Sequence, residues 1–341
     1  PLTATALALA VKGDNGDIEQ AVMLSCDLCA EIVKPALLEA LVGRCPGFDL
    51  SKLSVNGTHT HTGPTTVSGI YEEPVDDPDF MAPDRCREWL ADKLAGIVAA
   101  AWQDRKPGAL SRGFGYAVVG RCRRAVYADG SAQMYGETAR QDFQGFESCD
   151  DHAVNMLFTR DATGDLTGMV VNLACPSQCQ EHMEVYSADF WHPVREGIAA
   201  RHGAAVHLLP QCAPAGDLSP HLMADKTEEA DLRARLGLGD VGIVARRILA
   251  AVDEGLATAS SPEDTVCFEH RVERWSLPRM MVTEAEYELE KRVPEMSDEE
   301  RARQHYAFQR IWPFGPCCQL VSRYEQQADD PEHSVESHII R

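Results

Sequence analysis

The chain has 341 residues, of which 44% are hydrophobic, and this is enough to bury a sizeable core. Its formal net charge of -21 argues against binding to nucleic acid and to anionic membrane surfaces, and it favours a neutral or cationic substrate. No apolar run approaches the length of a transmembrane segment.

The 12 cysteines are scattered along the chain, which is typical of thiols in a reducing compartment. A cytoplasmic location is therefore slightly favoured. Cys26 and Cys29 have the C-x-x-C spacing of redox and zinc sites, but no second pair accompanies them, so buried packing is the expected role. The chain starts at Pro1 and stops in a strand-like pattern at Arg341, so we expect both ends to be truncated and secretion stays open.

A βαβ unit is predicted near the start, with a strand over 20–25, a helix over 30–42 and a strand over 53–55. A right-handed crossover places the carboxyl ends of both strands at one sheet edge, which would bring Asp27 close to His59. Asp27 would there either orient an imidazole or cap the following helix.

The rest of the chain alternates apolar strands with amphipathic and charged helices. Helices are predicted over 84–102 and 189–201, charged helices over 226–258, and two more within 283–309; strands are predicted over 111–119, 154–159, 166–174, 204–209 and 266–272. These elements predict an α/β (mixed α+β) fold, in which a mixed β-sheet is covered by helices. We expect a single catalytic domain over 1–341 with a mostly helical subregion over 226–310.

Three glycines, Gly237, Gly239 and Gly242, match the G-x-G-x-x-G pattern of dinucleotide-binding turns. The preceding residues have a helical pattern, so no strand delivers these glycines to a pyrophosphate. An interhelical turn is the better interpretation, and no nucleotide site is predicted.

Two loops carry the residues of chemical interest. His59 and His61 lie two positions apart after the strand over 53–55, so their side chains project from the same side of the backbone. The second loop follows the strand over 204–209 and contains Asp217 and Ser219. Open α/β sheets bind their ligands at such strand ends.

The segments T-H-T-H-T-G-P (58–64) and G-D-L-S-P (216–220) together resemble the neutral/alkaline non-lysosomal ceramidases, zinc-dependent amidases that cut the N-acyl bond of ceramide. The segments at 120–124 and 171–178 extend the resemblance over most of the chain. It implies that His59 binds Zn²⁺. The remaining two family ligands, a glutamate and a tyrosine, would follow the stretch 336–341.

Cys175 stands where this family has its second zinc histidine. A thiolate is also a competent zinc ligand, so the resemblance implies a metal site formed by His59 and Cys175. A thiolate would weaken the Lewis acid. A buried structural cysteine is the alternative that the sequence leaves open.

The same resemblance implies the catalytic residues His61, Ser219, Arg123 and Asp217. His61 would act as a general acid or donate a hydrogen bond to the scissile amide, and Arg123 would stabilise an oxyanion or contact a substrate hydroxyl. Pro220 has no N–H for the oxyanion hole of a nucleophile elbow. Ser219 is therefore expected to position water or the oxyanion rather than to attack.

The resemblance implies a zinc-dependent amidohydrolase that uses a metal-activated water on a small-molecule or lipid amide. One alternative is a ceramidase-like domain that binds without catalysis, and another is a metal-independent serine hydrolase. Zinc content distinguishes the first function from the others. The oligomeric state is not determined by the sequence.

Overall fold

The computed structural model describes residues 1–13, 16–30, 32–68, 74, 77–297, 299–300 and 315–341, with the side chains of 315–319 excepted. The strands are β1 (Ala4–Lys12), β2 (Ile18–Cys26), β3 (Leu53–Gly57), β4 (Gly108–Tyr116), β5 (Arg121–Cys122), β6 (Arg124–Tyr127), β7 (Ala132–Met134), β8 (Phe143–Phe146), β9 (Ala153–Asp161), β10 (Leu166–Leu173), β11 (His207–Cys212), β12 (Leu218–Ser219), β13 (His270–Pro278) and β14 (Glu332–Ile340). The helices are α1 (Lys34–Leu41), α2 (Pro83–Gln103), α3 (Trp191–His202), α4 (Lys226–Leu236), α5 (Asp240–Ala257), α6 (Glu284–Arg292) and α7 (Gly315–Gln326).

The chain divides into two compact units. The first is formed by Pro1–Pro64 and Leu90–Glu269, and the second by Thr65–Trp89 and His270–Arg341. All the site residues named from the sequence lie in the first unit. The expectation of one domain over 1–341 stays a prediction. Within the described residues, none of the helices combines the length and the apolar character that a bilayer span requires.

The first unit contains a three-stranded sheet in the order β1-β2-β3 and a four-stranded sheet in the order β11-β10-β9-β4. In the first sheet β3 runs parallel to β2, and α1 connects them, which confirms the predicted βαβ unit. In the second sheet β11 runs parallel to β10, and α3 connects them. The fold is therefore mixed α/β, as the sequence predicts.

Side chains on the two sheets fix the end of β11 against β2 and β3. The backbone N–H of Cys212 donates to Oδ1 of Asn56 over 3.2 Å, and Ser25 Oγ donates to the carbonyl of Pro210. Because β2, β3, β10 and β11 are aligned by parallel pairing and by these bonds, their carboxyl ends lie at one edge. The loops that follow them can therefore meet.

Each sheet of the first unit has its own apolar core. Leu24, Leu37 and Leu53 belong to the cluster of the first sheet with α1 and α2, whereas Phe158 and Trp191 belong to the cluster of the second sheet with α3 and α5. All five side chains are fully buried. At about 25 cal/mol per Å² of apolar surface, such burial is the main stabilisation of the site's scaffold.

Two helices are joined by the interhelical turn that the sequence predicts. Helix α4 ends at Leu236, Gly237 adopts the left-handed conformation with φ of 65°, and α5 begins at Asp240. Glycine adopts this conformation at little cost, so it suits the end of a helix. A helix rather than a strand therefore precedes Gly237, Gly239 and Gly242, as the sequence predicts.

The second unit contains an antiparallel pair of strands, β13 and β14, with His270 opposite Ile340. The strand predicted over 266–272 is thus shifted towards the C-terminus. Helix α6 falls inside the predicted helical stretch 283–309, of which residues 301–309 lie outside the described residues.

Asp27 neither orients an imidazole nor caps a helix, so both interpretations drawn from the sequence are wrong. Its buried carboxylate accepts two hydrogen bonds from Arg195 on α3, at 2.8 and 3.0 Å. It also accepts from Thr58 Oγ1 over 3.1 Å and from the N–H of Thr3. This ion pair therefore fixes the residue immediately before His59.

We predict that Arg195→Gln lowers the free energy of unfolding by about 3 to 5 kcal/mol, because it leaves the Asp27 carboxylate buried without its cation. Urea denaturation of the intact chain measures this. Arg44→Gln is the matched control, since Arg44 pairs with Asp92 at the surface, and its denaturation midpoint should barely move. Equal effects of the two substitutions on the free energy of unfolding would contradict a stabilising role of the buried Asp27–Arg195 ion pair.

Candidate functional site

The loops after β3 and β10 are joined by backbone and side-chain hydrogen bonds. Ser177 Oγ donates to the carbonyl of Thr58 over 2.8 Å, and the N–H of His61 donates to the carbonyl of Ser177 over 3.1 Å. Ser177 is buried. The histidine loop is thereby held against the residues that follow Cys175.

His59 has a left-handed backbone, with φ of 58°, which costs energy in a residue other than glycine. Its ring Nδ1 lies 2.6 Å from the carbonyl oxygen of Cys29. A carbonyl can only accept, so Nδ1 carries the hydrogen and Nε2 carries the lone pair. This is the tautomer that zinc-bound histidines show when a carbonyl orients them.

Cys29, His59 and His61 form a group that could hold a metal ion, with one donor atom from each within 4.8 Å of the others. The imidazole rings of His59 and His61 are 5.1 Å apart, and Cys29 Sγ is 4.0 Å from His59 Nδ1. Thiolate sulfur and imidazole nitrogen are both common zinc ligands. The donor types of Cys29 and His59 and the His59 tautomer therefore fit zinc.

Glu181, in the loop after β10, connects His61 to the third loop. Its Oε2 is 3.2 Å from His61 Nδ1, and its Oε1 is 2.8 Å from His221 Nε2. Gln178 Nε2 donates to Oε2 over 3.1 Å. Burial raises the pKa of Glu181, but hydrogen bonds from His221 and His61 oppose it, and the net pKa lies well below the usual range. Glu181 is therefore anionic at neutral pH.

The contacts of His61 fix its tautomer. A carboxylate only accepts, so His61 Nδ1 donates to Glu181 and Nε2 carries the lone pair. Gln178 Nε2 lies 3.2 Å from that nitrogen and 3.4 Å from Nδ1, so it sits beside both ring nitrogens, and it donates to Glu181. Gln178 is 2% exposed, and its Oε1 has no hydrogen-bond partner within the described part of the chain. An unpaired buried acceptor is costly, so this amide oxygen marks a place for a ligand donor.

Glu181, His182 and His221 form a second group of metal-ligand type, again with donor atoms within 4.8 Å of one another. The rings of His182 and His221 are stacked with centroids 6.2 Å apart. In the structure Glu181 and His221 hydrogen-bond directly, so these two residues link two loops.

Ser219 is fully buried and is connected to Arg123 through a residue that the sequence did not identify, Tyr135. The hydroxyl of Tyr135 donates to Ser219 Oγ over 3.2 Å and accepts from Arg123 over 3.1 Å. Arg123 also donates to the carbonyl of Gly216 over 2.9 Å. The backbone N–H of His221 donates to Ser219 Oγ over 3.2 Å. Both lone pairs of Ser219 are therefore used, and its O–H remains the group that donates.

Asp217 contacts the loop rather than any imidazole named above. Its carboxylate accepts a short hydrogen bond from Ser148 Oγ, and its carbonyl accepts from the N–H of Arg123 over 2.9 Å. These bonds connect Arg123, which lies between β5 and β6, with the segment that leads into β12 and Ser219. Asp217 is in a position to support both residues.

Cys175 lies apart from the two metal-type groups. Its side chain is fully buried in the apolar cluster of the second sheet, and its thiol donates to the carbonyl of Pro176 over 3.6 Å. Burial raises the pKa of this thiol well above its usual value. Among the described residues Cys175 belongs to neither group, and these surroundings favour the structural alternative. Cys29 lies beside His59, and burial raises the pKa of its thiol as well. All cysteines whose side chains are described are free thiols.

Comparison with known proteins gives a fold but no sequence family. No protein-family model and no curated protein matches the chain. A crystal structure of the neutral ceramidase from Pseudomonas aeruginosa matches with a TM-score of 0.54 and 18% identity, over 79% of this chain and 41% of that one. A ceramidase complexed with C2 matches with a TM-score of 0.53 and 20% identity, over 79% and 40%. The chain spans about two fifths of the length of these proteins, and it shares the mixed α/β fold of neutral ceramidases.

Proposed function

We propose that this chain is a zinc-dependent hydrolase of N-acyl amides, as the motifs of the sequence predict. The observation that carries the proposal is a continuous network at one sheet edge. It runs from His61 through Glu181 and His221 to Ser219, and it lies beside the Cys29–His59 pair. The ceramidase structures with this fold support a lipid amide as the substrate class.

Cys29 and His59 are the residues that would hold the metal. A bound zinc ion supplies a Lewis acid that polarises the amide carbonyl and makes water more acidic. His59 Nε2 carries the lone pair for such an ion because Cys29 O fixes the hydrogen on Nδ1. In this proposal Cys29 provides the thiolate that the sequence assigned to Cys175.

His61 is assigned the general acid–base role, since its contacts suit proton transfer. Glu181 holds the hydrogen of Nδ1 and stabilises the imidazolium that forms when Nε2 takes a proton. Nε2 would take that proton from the attacking water and give it to the leaving amine nitrogen. Gln178 Oε1, which lacks a partner in the described structure, would accept the amide N–H of the substrate.

Ser219 and Arg123 are assigned to the oxyanion. Because Tyr135 and the N–H of His221 occupy both lone pairs of Ser219, its hydroxyl donates to the oxygen that becomes negative. The Arg123 guanidinium polarises the Tyr135 hydroxyl and strengthens this donor chain. Asp217 supports the loop. Ser219 hydrogen-bonds to no imidazole among the described residues, which argues against a metal-independent serine hydrolase.

The metal assignment predicts that the wild-type chain retains about one zinc ion after dialysis, and that His59→Ala and Cys29→Ala lose it. His61→Gln should keep the zinc and lose amide hydrolysis, because the proposal uses His61 for proton transfer, with its Nδ1 bonded to Glu181, and not as a ligand. Elemental analysis and an N-acyl amide assay measure both properties.

Cys175→Ala is the matched control for Cys29→Ala, and it should keep the zinc. Loss of zinc from Cys175→Ala with retention in Cys29→Ala would reverse the assignment. Loss of zinc from His61→Gln would place His61 among the ligands. A wild-type chain that binds no zinc and hydrolyses no amide would favour the non-catalytic binding domain.

The donor chain predicts that Tyr135→Phe lowers kcat by roughly 10²-fold and leaves the zinc content unchanged, since one indirect oxyanion donor is weakened. Ser219→Ala should lower kcat by about 10² to 10³-fold, because it removes the donor itself. Tyr116→Phe is the control, because that ring is 65% exposed. A kcat for Tyr135→Phe equal to that of the wild type would exclude Tyr135 from catalysis.

A further inference from the structure

A pocket of about 280 Å³ borders the network on the side of the helical subregion. Helices α4 and α5 and the segment 220–222 line it. The pocket-facing residues recur at three- and four-residue spacing on each helix, so each helix presents one face to it. Its charged residues are Arg121, Lys226, Glu229, Arg233, Asp240 and Arg247.

The lining has four cationic side chains and two carboxylates. Its charge is therefore positive, opposite in sign to the chain's net charge of -21. Arg121 and Arg247 both bind one oxygen of Glu229, at 3.0 and 2.5 Å. One carboxylate cannot neutralise two guanidinium groups. Arg233 pairs with Asp240, and Lys226 is exposed. The pocket therefore keeps an excess of positive charge.

Helix α4 contributes no buried residue to the core. Its Glu229 and Arg233 make ion pairs to Arg121, Arg247 and Asp240, so charge rather than apolar packing attaches this face of the helix. An incoming anion would replace the missing negative charge without disturbing an apolar core. A guanidinium group can bind a carboxylate or a phosphate through two parallel N–H···O hydrogen bonds.

His221 belongs both to this pocket and to the proposed catalytic network. Its Nε2 lies 2.8 Å from Glu181, and its backbone N–H binds Ser219. Pro220, the residue between Ser219 and His221, also lines the pocket. A group bound in the pocket is therefore adjacent to the serine loop, as one part of a single substrate would be.

We infer that the pocket binds an anionic oxygen group, a carboxylate or a phosphate, carried by the amine part of the amide substrate. The inference rests on the proposed function, in which the acyl part is apolar, so the charge belongs to the amine part. The expectation of a neutral or cationic substrate followed from the net charge. The local charge of the pocket overrides it, because nearby charges act more strongly than distant, screened ones.

The test is calorimetric binding of paired probes to the intact chain. N-dodecanoylglycine is compared with uncharged N-dodecanoylglycinamide, and N-dodecanoylethanolamine phosphate with uncharged N-dodecanoylethanolamine. In at least one pair the anionic probe should bind on the order of tenfold more tightly, and the two pairs distinguish carboxylate from phosphate.

Arg247→Gln and Lys226→Gln should each lower the affinity for the anionic probe by about three- to tenfold. The affinity for the uncharged probe of the same pair should stay unchanged. Lys226 is exposed, so this variant tests the pocket even where Arg247→Gln unfolds the chain. Arg246→Gln is the control, because it removes the same charge from an exposed neighbour on α5 that does not line the pocket.

Equal affinities within both pairs, or an equal effect of Arg246→Gln and Lys226→Gln, would overturn the inference. The binding measurement does not depend on turnover. Tight binding of an anionic probe that is never hydrolysed would support the anion-binding pocket and contradict the proposed amidase activity. Hydrolysis of uncharged and anionic amides with equal kcat/KM would support the amidase activity and contradict the anion-binding pocket.

Discussion

The site depends on the hydrogen bonds that the Glu181 carboxylate accepts. This carboxylate lies in the loop after β10, and it binds His61 from the loop after β3 and His221 from the segment after β12. Burying a charge is costly unless hydrogen bonds compensate, and the two imidazoles with Gln178 provide this compensation. The same bonds fix both histidine tautomers. One partly buried carboxylate therefore both holds the loops together and fixes the His61 tautomer that the proposed proton transfer requires.

The scaffold makes this meeting of loops possible because its parallel strands end at a common edge. Asn56 and Ser25 fix β11 against the first sheet, and Asp27 with Arg195 fixes the start of the histidine loop. The strained backbone of His59 is held within this bonded frame, where its ring is oriented by Cys29. The cost of these polar and strained features is met by the two apolar cores.

The sequence predicted the features that depend on neighbouring residues. The βαβ unit, the interhelical turn at Gly237 and the strand before His59 all follow from local patterns. Strand β1 was missed because its alternating alanines are weak strand formers, and it is fixed by pairing with β2. Strand β11 was placed about three residues early, since apolar content does not mark where pairing stops.

The partners of the site residues could not be predicted in the same way. Tyr135 lies 84 residues before Ser219, and Glu181 lies 40 residues before His221, so only the tertiary fold brings them together. Cys29 had a visible signal in its spacing from Cys26, but its approach to His59 is a long-range contact. Glu181 and Gln178 follow the segment that carries Cys175, where polar residues after a buried strand were the available signal.

We propose that this edge of the sheet performs metal-dependent amide hydrolysis. The most direct measurement is the rate of release of fatty acid from an N-acyl amide by the zinc-loaded intact chain, before and after zinc is removed with a chelator and then restored. We expect hydrolysis to be lost with the metal and to return when zinc is added. A rate that is unchanged in the chelator, or no hydrolysis by the zinc-loaded chain, would contradict it.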